Sequence, residues 1–333
     1  MLPVIFKRNH ILFFTLLLIA AGCNEKLNLL APYKDITVVY GLLDQNDTTH
    51  YIRINKAYEG PGNALTMAQQ YDSINYPPGT LNVILQDYDI YGNLAATIPL
   101  KTTMGIAVVS GTFSYPNQIE YYTKAILNPN DTYKLVITNV KTGKVVTGST
   151  YLLSDIAPSI GVSNNFPLSW VAIYPTSISW TTVPSAAIYQ MTLRFFYSEM
   201  SGANTTHHSV DWVFPPENAT NNLGGQTLVY TYNGTGFLQF LKSSISPAPA
   251  GVTRTADSIE MRFSSGSTDF QTYSNLSQPS LGVNQNQPFY TDLTNGIGIF
   301  TSRHTQVFNK LFSGVDLDSI QSDALTSNLG FIL

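Results

Sequence analysis

One stretch decides the fold: Ile178-Ser-Trp-Thr-Thr-Val-Pro-Ser-Ala-Ala-Ile-Tyr-Gln-Met-Thr-Leu-Arg-Phe-Phe-Tyr197. In its second part, apolar side chains occupy every other position, at Tyr189, Met191 and Leu193, with polar side chains between them. A period of two places neighbouring side chains on opposite faces of an extended chain, so the pattern predicts a β-strand with one buried face. Trp180, on the preceding strand, is expected in the core.

The same period recurs along most of the chain. Ile36–Leu43 is a continuous apolar run, Tyr51–Asn55 alternates, and turn-forming residues at 44–49 join the two runs into a predicted hairpin. Further strand-like runs occupy residues 81–85, 94–100, 119–126, 133–140, 145–148 and 259–263. Many short strands with little helical periodicity are typical of β-sandwiches rather than of alternating βα units.

Helical spacing of apolar residues is confined to the second half of the chain. Short helices are expected at residues 236–245, 268–276 and 318–325. A cluster of Pro, Gly and Asn at 154–167 predicts a domain boundary. We therefore expect a mostly β protein with two β-sandwich domains, an N-terminal one at 33–157 and a C-terminal one with short helices at 158–333.

The segment from Trp180 to Tyr197 resembles the pattern of immunoglobulin-like and fibronectin-type domains. In those domains a Trp on one strand packs beneath the aromatic side chains of the next strand. The resemblance covers about twenty residues, and it implies a fold rather than an activity.

Charged residues are scarce in this 333-residue chain, at 11% of the total, against about 25% in typical soluble domains. Disordered, coiled-coil and nucleic-acid-binding proteins all need abundant charge, so the composition argues against each of these classes. We expect no nucleic-acid partner.

The N-terminus has the features of an export signal. Lys7 and Arg8 precede an apolar stretch of eleven residues, Ile11–Ala21, which is too short to span a bilayer. Ala20-Ala-Gly-Cys23 follows, and Cys23 is the one cysteine of the chain. This segment resembles the lipobox of bacterial lipoproteins, which implies a signal peptide at 1–22, acylation of the Cys23 thiol and a tether at 23–32.

The expected mature chain is mildly acidic. Lys7 and Arg8 are two of the 17 basic residues, so 15 remain against 21 acidic residues, a net charge of −6. Such a chain has no electrostatic attraction to anionic lipid head groups, and the acyl chains on Cys23 would attach it to the bilayer.

Motifs for catalysis are absent from the sequence. It contains no Gly-x-Ser-x-Gly, Ser-x-x-Lys or His-Glu-x-x-His pattern. His207 and His208 lie in an expected hairpin loop, and adjacent positions do not favour joint binding of one metal ion. We expect no enzyme, no cofactor and no metal site. An unrecognised hydrolase built around His50 or His304 is the least favoured alternative.

Two groups of side chains are candidates for modification or binding. Trp170 and Trp212 are candidate platforms on which a sugar ring could stack. Four Asp-Ser or Asp-Thr pairs followed by a hydroxyl-bearing or aliphatic residue resemble the O-glycosylation motif of exported Bacteroidetes proteins. The hydroxyl acceptors they would supply are Thr48, Ser73, Ser258 and Ser319.

Three stretches resemble a Bacteroidetes family of outer-membrane lipoproteins of unknown function, often encoded beside TonB-dependent receptors. They are Val38-Val-Tyr-Gly-Leu-Leu-Asp44, Thr49-His-Tyr-Ile-Arg-Ile-Asn-Lys-Ala-Tyr58 and Pro288-Phe-Tyr-Thr-Asp-Leu-Thr-Asn-Gly-Ile-Gly-Ile-Phe-Thr-Ser-Arg303. In the last, Asn295 suits a positive φ and Gly298 suits close approach of the next strand. The resemblance implies β-rich domains on a lipid anchor.

The sequence thus favours an exported lipoprotein of the cell envelope that is anchored in the outer membrane. It is compatible with either the periplasmic or the surface face of that membrane. Its expected role is that of a non-catalytic binding or accessory subunit of a TonB-dependent-type transport system. An outer-membrane receptor protein would be its partner. The alternative is a surface glycan-binding module.

Overall fold

The computed structural model describes residues 35–57, 63–104, 118–159, 170–171, 175–277 and 289–333. The predicted signal peptide at 1–22 and the tether at 23–32, including Cys23, lie outside the described residues. Within the described residues, no helix is long and apolar enough to span a membrane.

Most elements of the first half are strands. They are β1 Thr37–Leu43, β2 His50–Lys56, β3 Leu81–Tyr88, β4 Leu94–Pro99, β5 Lys101–Met104, β6 Ile119–Thr123, β7 Thr132–Asn139 and β8 Val145–Tyr151. Two short helices, α1 Ala64–Ala68 and α2 Tyr71–Ile74, lie between β2 and β3, in a half of the chain for which no helix was predicted.

The second half has longer strands and three helices of at least nine residues. Its strands are β9 Thr176–Thr181, β10 Ala186–Ser201, β11 Asn204–Val213, β12 Glu217–Asn218, β13 Thr227–Tyr232, β14 Val252–Ser267 and β15 Gly296–Lys310. Its helices are α3 Gly234–Ser244, α4 Thr268–Leu276 and α5 Gly314–Ser322, followed by a short 3-10 helix at Ser327–Leu329. The prediction of a mostly β fold with short helices in the second half is confirmed.

One large sheet draws strands from both halves of the chain. Its nine strands run in the order β11-β10-β14-β15-β1-β2-β6-β5, with β12 beside β10. The β1–β15 pair is parallel, and the other neighbours are antiparallel. The remaining strands form a four-stranded sheet, β4-β3-β7-β8, and a two-stranded sheet, β13-β9. The predicted hairpin of β1 and β2 is confirmed.

Two hydrophobic cores pack against the large sheet. One lies between the four-stranded sheet and strands β1, β2, β6 and β15, where Val39, Ile52 and Leu135 are buried. The other lies between β10 and β14 on one side and β9, β13 and α3 on the other. Trp180 is 2% exposed in this second core, stacked 4.8 Å from Tyr230, as its alternating strand predicted.

Close to the predicted domain boundary, the chain passes from the first core to the second. The large sheet nevertheless contains strands from both sides of this boundary. Leu152 belongs to the first core and Leu153 to the second, while Phe300 of β15 returns to the first core. The strands of both halves belong to one compact unit of the chain. The division into two separate sandwich domains at 157/158 stays a prediction. The β1–β15 pair joins a strand from before this boundary to a strand from after it.

Gly298 permits the β1–β15 pair to form. Its φ is +106°, and a Cβ built on it would lie 2.1 Å from the carbonyl oxygen of Val39. Asn295, just before β15, has a φ of +61°, the left-handed conformation that Asn tolerates better than most residues. Both positions agree with the roles that the sequence suggested for them.

Candidate functional site

The face of the large sheet that points away from the cores carries a concave surface. In β1, Val39 and Leu43 are buried in the first core, so Val38 and Tyr40 point to the opposite, outer face. Helix α4 packs against β10, β14 and β15. The Tyr273 ring of this helix meets the Tyr40 ring edge to face at 6.3 Å.

Helix α4 is positioned by its N-terminus. The Ser267 hydroxyl accepts a hydrogen bond from the Phe270 amide at 3.1 Å, which caps the helix. The Phe270 ring packs over Gly266, where a Cβ would lie 2.4 Å from that ring. The cap and this close contact hold α4 on the sheet.

Two adjoining cavities lie on this face, the first beside α4 and the second beside α1 and α2. The first, of about 410 Å³, is lined by Tyr40, Tyr273, Phe289 and Tyr290, among others. The second, of about 360 Å³, has a mostly apolar lining to which Arg53 and Lys56 add positive charge. The two share the lining residues Val38, Tyr40 and Ile297, and we call them together the outer groove. Both volumes fall in the usual range of ligand pockets, about 300–1,000 Å³.

The outer groove is lined by two cations, Arg53 and Lys56, which differ in whether a carboxylate pairs with them. Arg53 donates from Nε and Nη2 to Oε1 of Glu120, each at 2.9 Å, so this cation is paired. Lys56 has no hydrogen-bond or ion-pair partner among the residues that the structure describes. As far as the structure describes the chain, the second cavity therefore carries a positive charge without a counter-ion.

Tyr40 and Tyr290 of the first cavity are neutral hydroxyl groups at physiological pH. Partial burial and a hydrogen bond with Tyr273 raise the pKa of Tyr40 to about 12. Burial, together with the hydrogen bond to Asp269, also raises the pKa of Tyr290. These phenols can donate and accept hydrogen bonds, but they supply no charge.

A second cluster of ionisable groups joins distant parts of the chain. His304, fully buried on β15, lies 2.9 Å from Asp44 through Nδ1 and 2.9 Å from Asp155 through Nε2. Burial alone would lower the pKa of His304, but the two carboxylates outweigh it and the pKa is raised. Burial would raise the pKa of Asp44, but its bonds to His304 and to the Asn46 amide lower it. The cluster is an imidazole held between two carboxylates, which favour its protonated form.

This arrangement does not match a hydrolase. A general base needs one free ring nitrogen facing the nucleophile, and carboxylates occupy both nitrogens of His304. His50 is also buried, and burial lowers its pKa. Among the described residues, neither histidine has the serine and acid partners that a triad requires.

A serine, a histidine and an aspartate do lie close together on the outer face of β10, β11 and β14. Their hydrogen bonds, however, do not connect them in the order of a hydrolytic triad. The Ser198 hydroxyl donates to Asp257 at 2.7 Å and lies 2.9 Å from Nδ1 of His207. The acid thus binds the serine and does not orient the histidine, which a hydrolytic triad needs. Across the described ranges, no three His, Cys, Asp or Glu side chains are grouped to hold a metal ion.

The prediction that His207 and His208 lie in a loop was wrong. Both lie within β11, which pairs with β10 along its whole length. As an edge strand, β11 is largely exposed on both faces, so its sequence lacks the apolar alternation that identifies half-buried strands.

The predicted stacking platforms are not open surfaces. Trp170 is 0% exposed and stacks on Tyr232, so a ligand in solvent cannot reach its ring in this conformation. Trp212 is half-buried and stacks on Phe240 of α3 at 5.4 Å. The large rings that predicted exposed platforms also supply the most apolar surface to a core, and sequence does not separate the two uses.

The candidate O-glycosylation positions differ in accessibility. Thr48 is exposed in the β1–β2 turn, while Ser73, Ser258 and Ser319 are half-buried. Ser319 also donates to the Val315 carbonyl within α5. Use of these hydroxyls stays a prediction, as does acylation of Cys23.

Sequence reasoning did not single out the outer groove, although a signal was present. In a half-exposed strand, polar residues alternate with apolar ones, whereas Ile36–Leu43 is almost continuously apolar. Such a run indicates cover on both faces, here by the first core and by the surroundings of α4. No family model matches this sequence, and no curated protein is significantly similar to it.

Proposed function

We propose that the protein is an exported, lipid-anchored and non-catalytic binding subunit of a TonB-dependent-type transport system in the outer membrane. The observation that carries the binding role is the outer groove, two adjoining cavities of ligand-pocket size on one sheet face. The export signal and the lipobox ending at Cys23 support the anchor. The three stretches that resemble outer-membrane lipoproteins support the association with a receptor.

The chemistry of the groove supports binding more than catalysis. The Tyr40 phenol is neutral and Arg53 is paired with Glu120. No described lining residue is a cysteine or histidine, and Ser277 of the first cavity has no histidine beside it in the lining. A rigid sheet floor with aromatic and polar side chains is the arrangement expected of a pre-formed recognition site.

Affinity purification of the full-length protein from detergent-solubilised outer membranes tests this role. We expect an outer-membrane receptor to be recovered with the wild type and its amount to fall at least several-fold with Tyr273→Ala. Tyr91→Ala is the matched control, because Tyr91 is 82% exposed in the β3–β4 turn and does not line the groove. Recovery of the wild-type protein without any receptor would contradict the transport role.

A surface glycan-binding module is the second candidate. The observation that favours it is the group of aromatic side chains around the first cavity, at Tyr40, Tyr273, Phe289 and Tyr290. Sugar rings present C–H faces that pack on aromatic rings and hydroxyl groups that bond to phenols. Binding of polysaccharide by the purified protein, with no receptor recovered from membranes, would favour this candidate over the first.

A further inference from the structure

We propose that the outer groove binds an oligosaccharide bearing carboxylate groups, with sugar rings in the first cavity and a carboxylate at Lys56 in the second. This inference rests on the proposed binding function and names the ligand class of that site.

The first cavity favours a neutral ring with hydroxyl groups. Its described lining contains four aromatic side chains and no charged one. The Phe289 ring is 75% exposed, so it presents a face to an incoming ligand. Tyr40 and Tyr273 add hydroxyl groups beside their rings, and Ser277 adds another. Apolar faces edged by hydroxyl groups match the alternating C–H and O–H surfaces of a sugar.

The second cavity favours an anionic group. Lys56 lies at its wall without a partner among the described residues, and the neighbouring Arg53 is already bound to Glu120. An ammonium group in a partly enclosed site attracts a carboxylate more strongly than it would in open water. A carboxylate on the ligand would neutralise a cation that has no partner within the described part of the chain.

Acidic groups near the first cavity and Lys56 in the second are expected to set the orientation of the ligand in the groove. Tyr290 lines the first cavity, and its hydroxyl donates to the Asp269 carboxylate. Asp292 lies in the same region, and its pKa is raised to about 6 by burial and by Asp269, although the Phe300 amide opposes this. A carboxylate on the ligand is repelled at this end and attracted at the Lys56 end.

The floor of the groove argues against an extended peptide as the occupant. Peptides that bind on sheets usually add a strand to an open edge. Strand β1 is paired with β15 on one side and β2 on the other, and β2 is paired with β6. The backbone groups of β1 and β2 are therefore engaged within the sheet, and the ligand must be held by side chains.

The test is calorimetric titration of the full-length protein in detergent with tetragalacturonate and with its fully methyl-esterified form. The ester keeps the sugar rings and loses the charge. We expect the acid to bind about tenfold more tightly than the ester, as one charge-assisted hydrogen bond would give. The preference should shrink as salt is added.

Substitutions test which side chains bind each part of the ligand. Lys56→Gln should weaken the acid about tenfold and leave the affinity for the ester unchanged, which also shows that the groove is still folded. Tyr273→Ala should weaken both ligands. Lys134→Gln is the matched control, because Lys134 is a mid-strand lysine of β7 and does not line the groove; it should change neither affinity.

Equal affinity for acid and ester, or an unchanged acid affinity in Lys56→Gln, would overturn the inference. Failure of the wild type to bind either sugar would overturn it as well. If the same preparation still recovers an outer-membrane receptor that Tyr273→Ala loses, the proposed binding function stands and only the ligand class is wrong.

Discussion

Replacing Gly298 with alanine is expected to destabilise the fold by about 3 kcal/mol or more. A φ of +106° is strained for any residue with a side chain, and the new Cβ would overlap the Val39 carbonyl oxygen, 2.1 Å away. Relief of this overlap requires β1 and β15 to separate, and that pair connects the two halves of the nine-stranded sheet. Urea denaturation followed by tryptophan fluorescence measures the change in the free energy of unfolding.

Gly314→Ala is the matched control for this substitution. Gly314 begins α5, has no left-handed φ, and a Cβ there would meet no atom within 4 Å. We expect a change within about 0.5 kcal/mol, since alanine suits a helix better than glycine. A Gly298→Ala protein with the wild-type denaturation midpoint would show that the close approach of β1 and β15 is not real.

The second large effect is expected at His304. His304→Ala removes the imidazole between Asp44 and Asp155 and leaves the Asp44 carboxylate, 2% exposed, without its histidine partner. Breaking a buried ion pair from one side costs about 3 kcal/mol, because the remaining charge stays desolvated. The amides of Asn46 and Thr305 still donate to Asp44, so the fold should persist in a weakened form. His207→Ala is the control, since His207 is exposed on β11, and it should change stability little.

The same cluster predicts how stability depends on pH. Because the pKa of His304 is raised in the folded state, its contribution is complete below the unfolded value of about 6.5. That contribution is lost as the pH rises through the higher folded-state value. The pKa of Asp44 is lowered, so its contribution is lost at the acid end, as the pH falls through its folded-state value.

Thermal unfolding between about pH 6 and pH 9 checks the histidine contribution. The wild type should lose stability across this interval, and His304→Ala should lose less. Parallel curves for the two proteins would mean that His304 is not the titrating group.

Local features of the fold could be predicted from the sequence because they depend on neighbours along the chain. Alternation at Tyr189–Tyr197 placed this part of β10 and its buried face, and the turn residues at 44–49 placed the β1–β2 hairpin. The helix predicted at 268–276 coincides with α4. Helix α5 begins at Gly314, before the predicted residue 318, because Ser313 and Asp316 form a capping box there.

Contacts between distant segments left no such signal. The parallel pairing of β1 with β15 joins residues about 260 positions apart, and no local period reports it. The Asp44–His304 pair is equally remote in sequence. The groove depends on which element covers the outer face of β1, so its tyrosines could be recognised only once α4 was in place.

Mass spectrometry of the N-terminal peptide, from protein purified out of membranes, tests the central claim most directly. The account predicts a chain that begins at Cys23, with residues 1–22 removed and a diacylglycerol in thioether linkage to its sulfur. Cys23→Ser should abolish the modification and release the protein from the membrane fraction. A wild-type protein with an unmodified Cys23 thiol, or with residues 1–22 still attached, would contradict the account of a lipid-anchored envelope protein.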